Sequence, residues 1–122
     1  MKESLAEKFV FICSPFRPVS RGAESRAQEF KENIALAHLA CALAVSLGHI
    51  PVAPHLYFPQ FLDDAKDKER NLGIKMGMEW LKGCEELWII GDRITEGMAV
   101  EIAMAIEMGI PIKVKHIDGR NS

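Results

Sequence analysis

The sequence predicts one three-layer α/β domain spanning residues 1–122, a parallel sheet with helices on both faces in the order βαβαβαβ. Three observations lead there. Short apolar runs at Phe9–Cys13, His49–Pro54, Glu86–Ile90 and Ile112–Lys115 alternate with longer segments of helical spacing. The first run is apolar throughout, as in a strand buried on both faces. Strands separated by single helices at this spacing pair in parallel through right-handed crossovers, so helices cover both sides of the sheet.

Phe9-Val10-Phe11-Ile12-Cys13 ends at Ser14-Pro15 and is expected to be the first strand, central in the sheet. The stretch from Ser20 to Glu24 is polar, with Gly22, and Ser25-Arg26-Ala27-Gln28 has the spacing of a capping box. A helix is expected from there through Leu47, with Ala35, Leu36, Leu39, Ala40, Leu43 and Leu47 on its buried face and Gly48 at its end. His49–Pro54 is a strand limited by prolines, which places it toward a sheet edge. His55 to Asp64 reads as a loop rich in aromatics and prolines, either a ligand wall or subunit contact, or a cover over the sheet. From about Asp67 to Gly83 the pattern is helical, with Leu72, Met76, Trp80 and Leu81 inward. Glu86–Ile90 is the third strand and Gly91–Thr95 its exit loop; a last helix ends at Gly109, and Ile110-Pro111 leads into the fourth strand. Asp118–Ser122 reads as a loose tail.

The chain is 48% hydrophobic and 26% charged, the make-up of an ordinary globular domain. Net charge is −2 with both signs interspersed, which argues against duplex nucleic acid or an anionic membrane as partner. Cys13, Cys41 and Cys84 follow neither disulfide nor metal-ligand spacing and read as reduced packing residues of a cytoplasmic protein. Met1–Lys8 is too polar for a signal peptide, and no run approaches ~18 apolar residues. No dinucleotide glycine fingerprint, phosphate loop, Ser-His-Asp order or zinc-like cluster is present, so neither metal nor cofactor is expected.

Glu101 is the one charge within Met98–Ile106. At about 100° per residue, Glu96 and Glu107 fall within roughly 20° of each other and Glu101 about 140° from Glu96, off the solvent stripe. It is either a helix-start glutamate reaching water or a desolvated carboxylate with an altered pKa. In open α/β sheets ligands bind beyond the carboxyl ends of the strands where chain order reverses. That edge gathers Ser14 and Arg17 after the first strand, His55 and Tyr57 after the second, and Asp92, Thr95, Gly97 and Glu101 after the third. Arg17 is either a surface arginine or a bidentate anion grip. His55 is either a structural imidazole or a donor to a sugar or base. Thr95 is an N-cap at a helix start that also attracts phosphate, and Gly97 permits close approach. A carboxylate is the best reactive group available, and carboxylates serve as nucleophiles at anomeric carbons.

Several segments together resemble the nucleoside 2-deoxyribosyltransferase superfamily: Phe9–Arg17, Ala53-Pro54-His55, Trp80–Trp88 and, most specifically, Gly97–Ala105 with Glu101 in a Gly-x-x-x-Glu-Ile context. The deoxynucleoside monophosphate N-glycosidase branch, and a phage-associated group of small proteins, are similar in detail. The resemblance implies a flavodoxin-like (Rossmann-like) fold and Glu101 attacking C1′ of a nucleoside or nucleotide. It also implies Arg17 and Thr95 at a 5′-phosphate. Transfer to a second base or hydrolysis follows, in a homodimer or higher homo-oligomer. The chain departs from the family at Phe11, where a Tyr is usual, and at Gly77, where an Asp is usual, with Glu79 the nearest acid. The alternative is a non-catalytic protein that binds a nucleotide or nucleotide-derived signal in the same pocket.

Overall fold

The computed structural model describes residues 7–117; the expected tail at Asp118–Ser122 and the start at Met1–Ala6 lie outside them. The elements are β1 (Phe9–Cys13), α1 (Ala23–Ser46), β2 (Ile50–Val52), α2 (Pro54–Tyr57), a 3-10 turn (Phe58–Gln60), α3 (Asp67–Lys82), β3 (Glu86–Ile90), α4 (Glu96–Met108) and β4 (Ile112–Lys115). The four strands form one parallel sheet in the order β2-β1-β3-β4, with Phe11 paired to Val52 on one side and Leu87 on the other. This is the predicted three-layer fold, with β2 at an edge and β1 inside.

Strand alternation divides the core. Val10, Ile12, Trp88 and Ile90 face α1 through Ala40 and Ala44. Phe11, Cys13 and Leu87 face the other way, against Leu81 of α3 and Met98 and Ala105 of α4. At the amino end of the sheet, Glu86 is a buried carboxylate accepting from Lys8 Nζ at 2.7 Å, Lys113 Nζ at 2.9 Å and Trp88 Nε1 at 2.9 Å. Burial opposes its charge, but the three donors prevail and hold it down at about 2. Thr95 caps α4, its Oγ1 accepting from Met98 N at 3.2 Å, and Gly109 ends it in the left-handed conformation at φ 74°.

Four local expectations are corrected. The Ser25–Gln28 capping box does not form: α1 starts at Ala23 behind Gly22 (φ 89°), with no side-chain cap. The start is fixed by tertiary contacts instead, because Glu29 accepts from the amides of Val19 and Ser20 and from Arg93. On α1 the buried residues are Asn33, Ala37, Ala40 and Ala44, flanked by the half-buried Leu36 and Leu43, whereas Ala35, Leu39 and Leu47 are exposed. On α3, Gly77 and Leu81 are buried, Met76 is half-buried, and Leu72 and Trp80 are exposed. There the inward stripe passes through Gly73 and Gly77, which hydrophobicity does not reveal. Finally, His55–Asp64 is not plain loop, since Pro54 begins one helical turn and Pro59 is the second residue of the next, each with a preset φ.

Candidate functional site

Chain order reverses between β1 and β3, so the crevice beyond their carboxyl ends is where this architecture places ligands. A cleft of about 660 Å³, counting its open mouth, lies there between Phe16, the Pro54–Leu62 segment, α3 and the first turns of α4. Glu101 and Gly97 form its α4 wall. Two glycines of α3, Gly73 and Gly77, leave the opposite wall bare of side chains at those positions. A Cβ on Gly73 would stand 3.4 Å from Leu62 Cδ1, and one on Gly77 3.5 Å from Pro54 Cβ.

Glu101 is half-buried, unlike the exposed Glu96 and Glu107 of the same helix. Desolvation raises its carboxyl to about 7, opposed by a hydrogen bond from the Cys13 thiol. Cys13, buried at the end of β1, also has Met98 O within reach at 3.7 Å. Its own pKa is pushed far up, first by burial and then by the charge of Glu101, so it remains a thiol and a donor. Phe11 lies two residues earlier, fully buried on the same face of β1.

Ser14 Oγ and His55 Nε2 share a 2.8 Å hydrogen bond whose direction follows the imidazole tautomer. Burial lowers His55 to about 4, which keeps the ring neutral at pH 7. Its edge meets the Phe16 ring at 6.0 Å between centroids, and Nδ1 is buried without a hydrogen-bond partner among the described residues. His55, on α2, lines the same cleft as Glu101.

The remaining expected site residues stand further out. Arg17 lines a neighbouring groove, its Nε 2.9 Å from Asp64 Oδ2, and Asp64 is shared by groove and cleft. Thr95 is occupied in capping α4. Asp92 is exposed in the turn after β3, outside the residues that line the cleft. Tyr57 is also outside that lining, in an aromatic cluster with Phe58, Phe61 and Trp80 at 5.1–5.4 Å. The structure therefore brings Gly97, Glu101 and His55 together at the cleft, with Ser14 behind His55, and leaves Arg17, Asp92, Thr95 and Tyr57 around it.

Sequence reasoning missed Cys13, treated as packing, and the charged rim of Asp64, Glu69 and Arg70. Arg70 donates to Asp67 Oδ1 at 2.9 Å, and its Nη1 stands 3.5 Å from Asp64 O. The available signal was the pair of glycines one turn apart in α3. Each costs about 1 kcal/mol against Ala inside a helix, so such a pair marks a close approach. Among the described residues no three His, Cys, Asp or Glu side chains are grouped as metal ligands would be, and no helix is long and apolar enough to cross a membrane.

The fold is similar to that of a 2-deoxyribosyltransferase from the psychrotolerant bacterium Bacillus psychrosaccharolyticus, a protein described as a biocatalyst for nucleoside synthesis. The TM-score is 0.54 at 18% identity, over 88% of this chain and 72% of that one. At that identity the likeness is one of fold. No curated protein sequence matches the chain. Residues 8–115 match the family described as a domain of unknown function, DUF7768, and the chain belongs to that family.

Proposed function

We propose that the protein cleaves the N-glycosidic bond of a nucleoside or nucleotide, or transfers its deoxyribosyl group, through Glu101. The observation that carries this reading is a desolvated carboxylate on the wall of a cleft at the switch point of the sheet. The fold shared with a 2-deoxyribosyltransferase supports it. A Glu101 oxygen attacks C1′, the C1′–N bond breaks with its electron pair going to the base, and the base takes up a proton. Water or a second base then displaces Glu101 from the glycosyl ester. Asp64 and Glu69 are the other acids lining the cleft and are the candidates to protonate the departing base. Arg17 and Arg70 flank Asp64 at the mouth, where a 5′-phosphate would compete with that carboxylate for Arg17. The same reading includes a single-domain, cytoplasmic homodimer of the deoxynucleoside monophosphate N-glycosidase branch, phage-associated and without a cofactor.

A second reading is favoured by two features of the cleft. Gly77 presents no acid on the wall where the superfamily has one. The only donor to Glu101 from β1 is a thiol, a weaker one than a phenol. These features suit a protein that holds a nucleotide without cleaving it. Chromatography of free bases released from a panel of nucleosides and 5′-nucleotides decides between the two. Release by the wild type that Glu101→Ala abolishes supports the enzyme, and equal release by both removes Glu101 from the mechanism.

A further inference from the structure

The cleft is short of groups that can give a proton. Its lining holds three carboxylates, Asp64, Glu69 and Glu101, and one cation, Arg70. A neutral base leaving C1′ must gain a proton as the bond breaks, yet the two carboxylates other than Glu101 are committed as acceptors. Asp64 Oδ2 faces Arg17 Nε at 2.9 Å, and Glu69 Oε1 accepts from the Asp63 amide at 2.7 Å. A guanidinium such as that of Arg70 donates hydrogen bonds and not protons. Burial holds His55 neutral, and its Nε2 is already bonded to Ser14 Oγ. The α3 wall, at Gly73, Ile74, Gly77 and Met78, has no side-chain donor at all.

The same lining suits a positive charge. Three carboxylates stand against one guanidinium, and the rings of Phe16 and Phe58 belong to the walls. Aromatic faces attract a cation within about 6 Å, more strongly where water is excluded. Glu101 gains from such a neighbour. Desolvation raises its carboxyl to about 7, and a positive ring against it favours the ionised form that attacks.

We propose that the cleft takes N-glycosides whose leaving group already carries a positive charge at the glycosidic nitrogen, a pyridinium or an N7-alkylated purine. This rests on Glu101 as the nucleophile and adds the class of its substrate. A Glu101 oxygen bonds to C1′ as the C1′–N bond breaks, and the electron pair of that bond neutralises the ring nitrogen. The ring departs uncharged and needs no proton. Water then displaces Glu101 from the glycosyl ester, the sugar keeps the hydroxyl, and one proton passes to solvent. A cleft without a free acid thus loses nothing on a cationic substrate, whereas on a neutral one it forgoes the whole of general acid assistance.

Chromatography of released base from paired substrates tests the class, with the spontaneous rate of each subtracted. Nicotinamide riboside is paired with uridine, and N7-methylguanosine with guanosine, each as riboside and 2′-deoxyriboside, with and without a 5′-phosphate. General acid help is worth ~10²–10⁴-fold, so the wild type is expected to favour a cationic member over its neutral partner by about a hundredfold or more in kcat. Glu101→Ala, with unchanged far-UV circular dichroism, is expected to release neither. Release of nicotinamide alone assigns a pyridinium, and release of 7-methylguanine alone an alkylated purine. Gly77→Asp should narrow the ratio by raising the rate on the neutral member. Neutral members released as fast as their cationic partners, with Glu101→Ala inactive on both, would overturn the substrate class and leave Glu101 as the nucleophile. Cationic release untouched by Glu101→Ala, or no release from any of these compounds, would overturn the Glu101 reading and this inference with it.

Discussion

His55 and Glu101 line one cleft, and burial moves them in opposite directions, His55 down to about 4 and Glu101 up to about 7. Both shifts favour the neutral form, and they pull stability in opposite senses. From about pH 4.5 to 7 the folded chain keeps a proton on Glu101 that the unfolded chain has released, so this contribution falls as pH rises. From about pH 4 to 6.5 the unfolded chain holds a proton on His55 that the folded chain lacks, so this one grows as pH rises. Glu29 and Glu86, both held at about 2, act below this window. Chemical denaturation of the wild type should therefore show stability nearly flat between about pH 4.5 and 6.5. Glu101→Gln should make it rise by about 1.4 kcal/mol per pH unit there, and His55→Phe should make it fall by about as much. A steep wild-type profile unaltered by either change would contradict the opposed pair.

The Cys13 thiol has both Met98 O and the proposed nucleophile to donate to. Its hydrogen bond favours ionised Glu101, so Cys13→Ala should raise the carboxyl above about 7. Ionised Glu101 is the attacking form, so base release should rise with pH through the Glu101 pKa and then level. Cys13→Ala should move that rise to higher pH. Cys13→Ser, with a stronger donor, should move it lower. Carbon NMR titration of labelled Glu101 checks the same shifts without turnover.

Arg17 is held by Asp64 at 2.9 Å. If a 5′-phosphate replaces that carboxylate, monophosphates should bind better than the matching nucleosides. A charge-assisted hydrogen bond is worth roughly 1.5–3 kcal/mol. Arg17→Ala should then weaken monophosphate binding about ten- to a hundredfold, leaving the nucleoside unchanged. Asp64→Asn should strengthen it by freeing Arg17. Thr95→Ala should show mainly as lost stability of about 1 kcal/mol, since its Oγ1 is spent on the helix cap. Calorimetry in which nucleoside and monophosphate bind alike would remove Arg17 from the phosphate end.

The fold was legible because periodicity and punctuation agreed. Phe9–Cys13 is apolar without alternation, Gly109 stops α4, and Pro51 sits in an edge strand. That Glu101 stands off the solvent stripe was legible from its wheel position. The buried face of α1 was not, because a helix apolar all round gives no contrast between its sheet side, at Ala37 and Ala44, and its outer side, at Leu39 and Val45. The α3 wall was hidden for the opposite reason, since its inward residues at Gly73 and Gly77 have no side chains to count. Arg17 and Tyr57 follow the correct strands, but their directions depend on partners far along the chain, Asp64 and Trp80, that no local pattern reveals.

The departures that the resemblance implies at Phe11 and Gly77 are not equivalent in the structure. Phe11 has no exposed surface and packs in the core under α3 and α4, so Phe11→Tyr must seat a hydroxyl there, at a cost of about 1–3 kcal/mol unless it reaches an acceptor. Gly77 lines the cleft, and a Cβ on it would make ordinary contact with Pro54 at 3.5 Å. Gly77→Asp should therefore meet no clash at its Cβ and place an acid on the cleft wall. Missing acid–base assistance typically costs ~10²–10⁴-fold in rate, so the unmodified protein should release base from ordinary deoxynucleotides slowly or not at all. Gly77→Asp should raise that rate, and adding Phe11→Tyr should raise it further only if the phenol donates to Glu101. Rapid release by the unmodified chain would mean that Cys13, Asp64 or Glu69 already supplies the assistance. Measurable nucleotide binding with no turnover, before or after both substitutions, would make this cleft a receptor for a nucleotide and Glu101 one of its contacts.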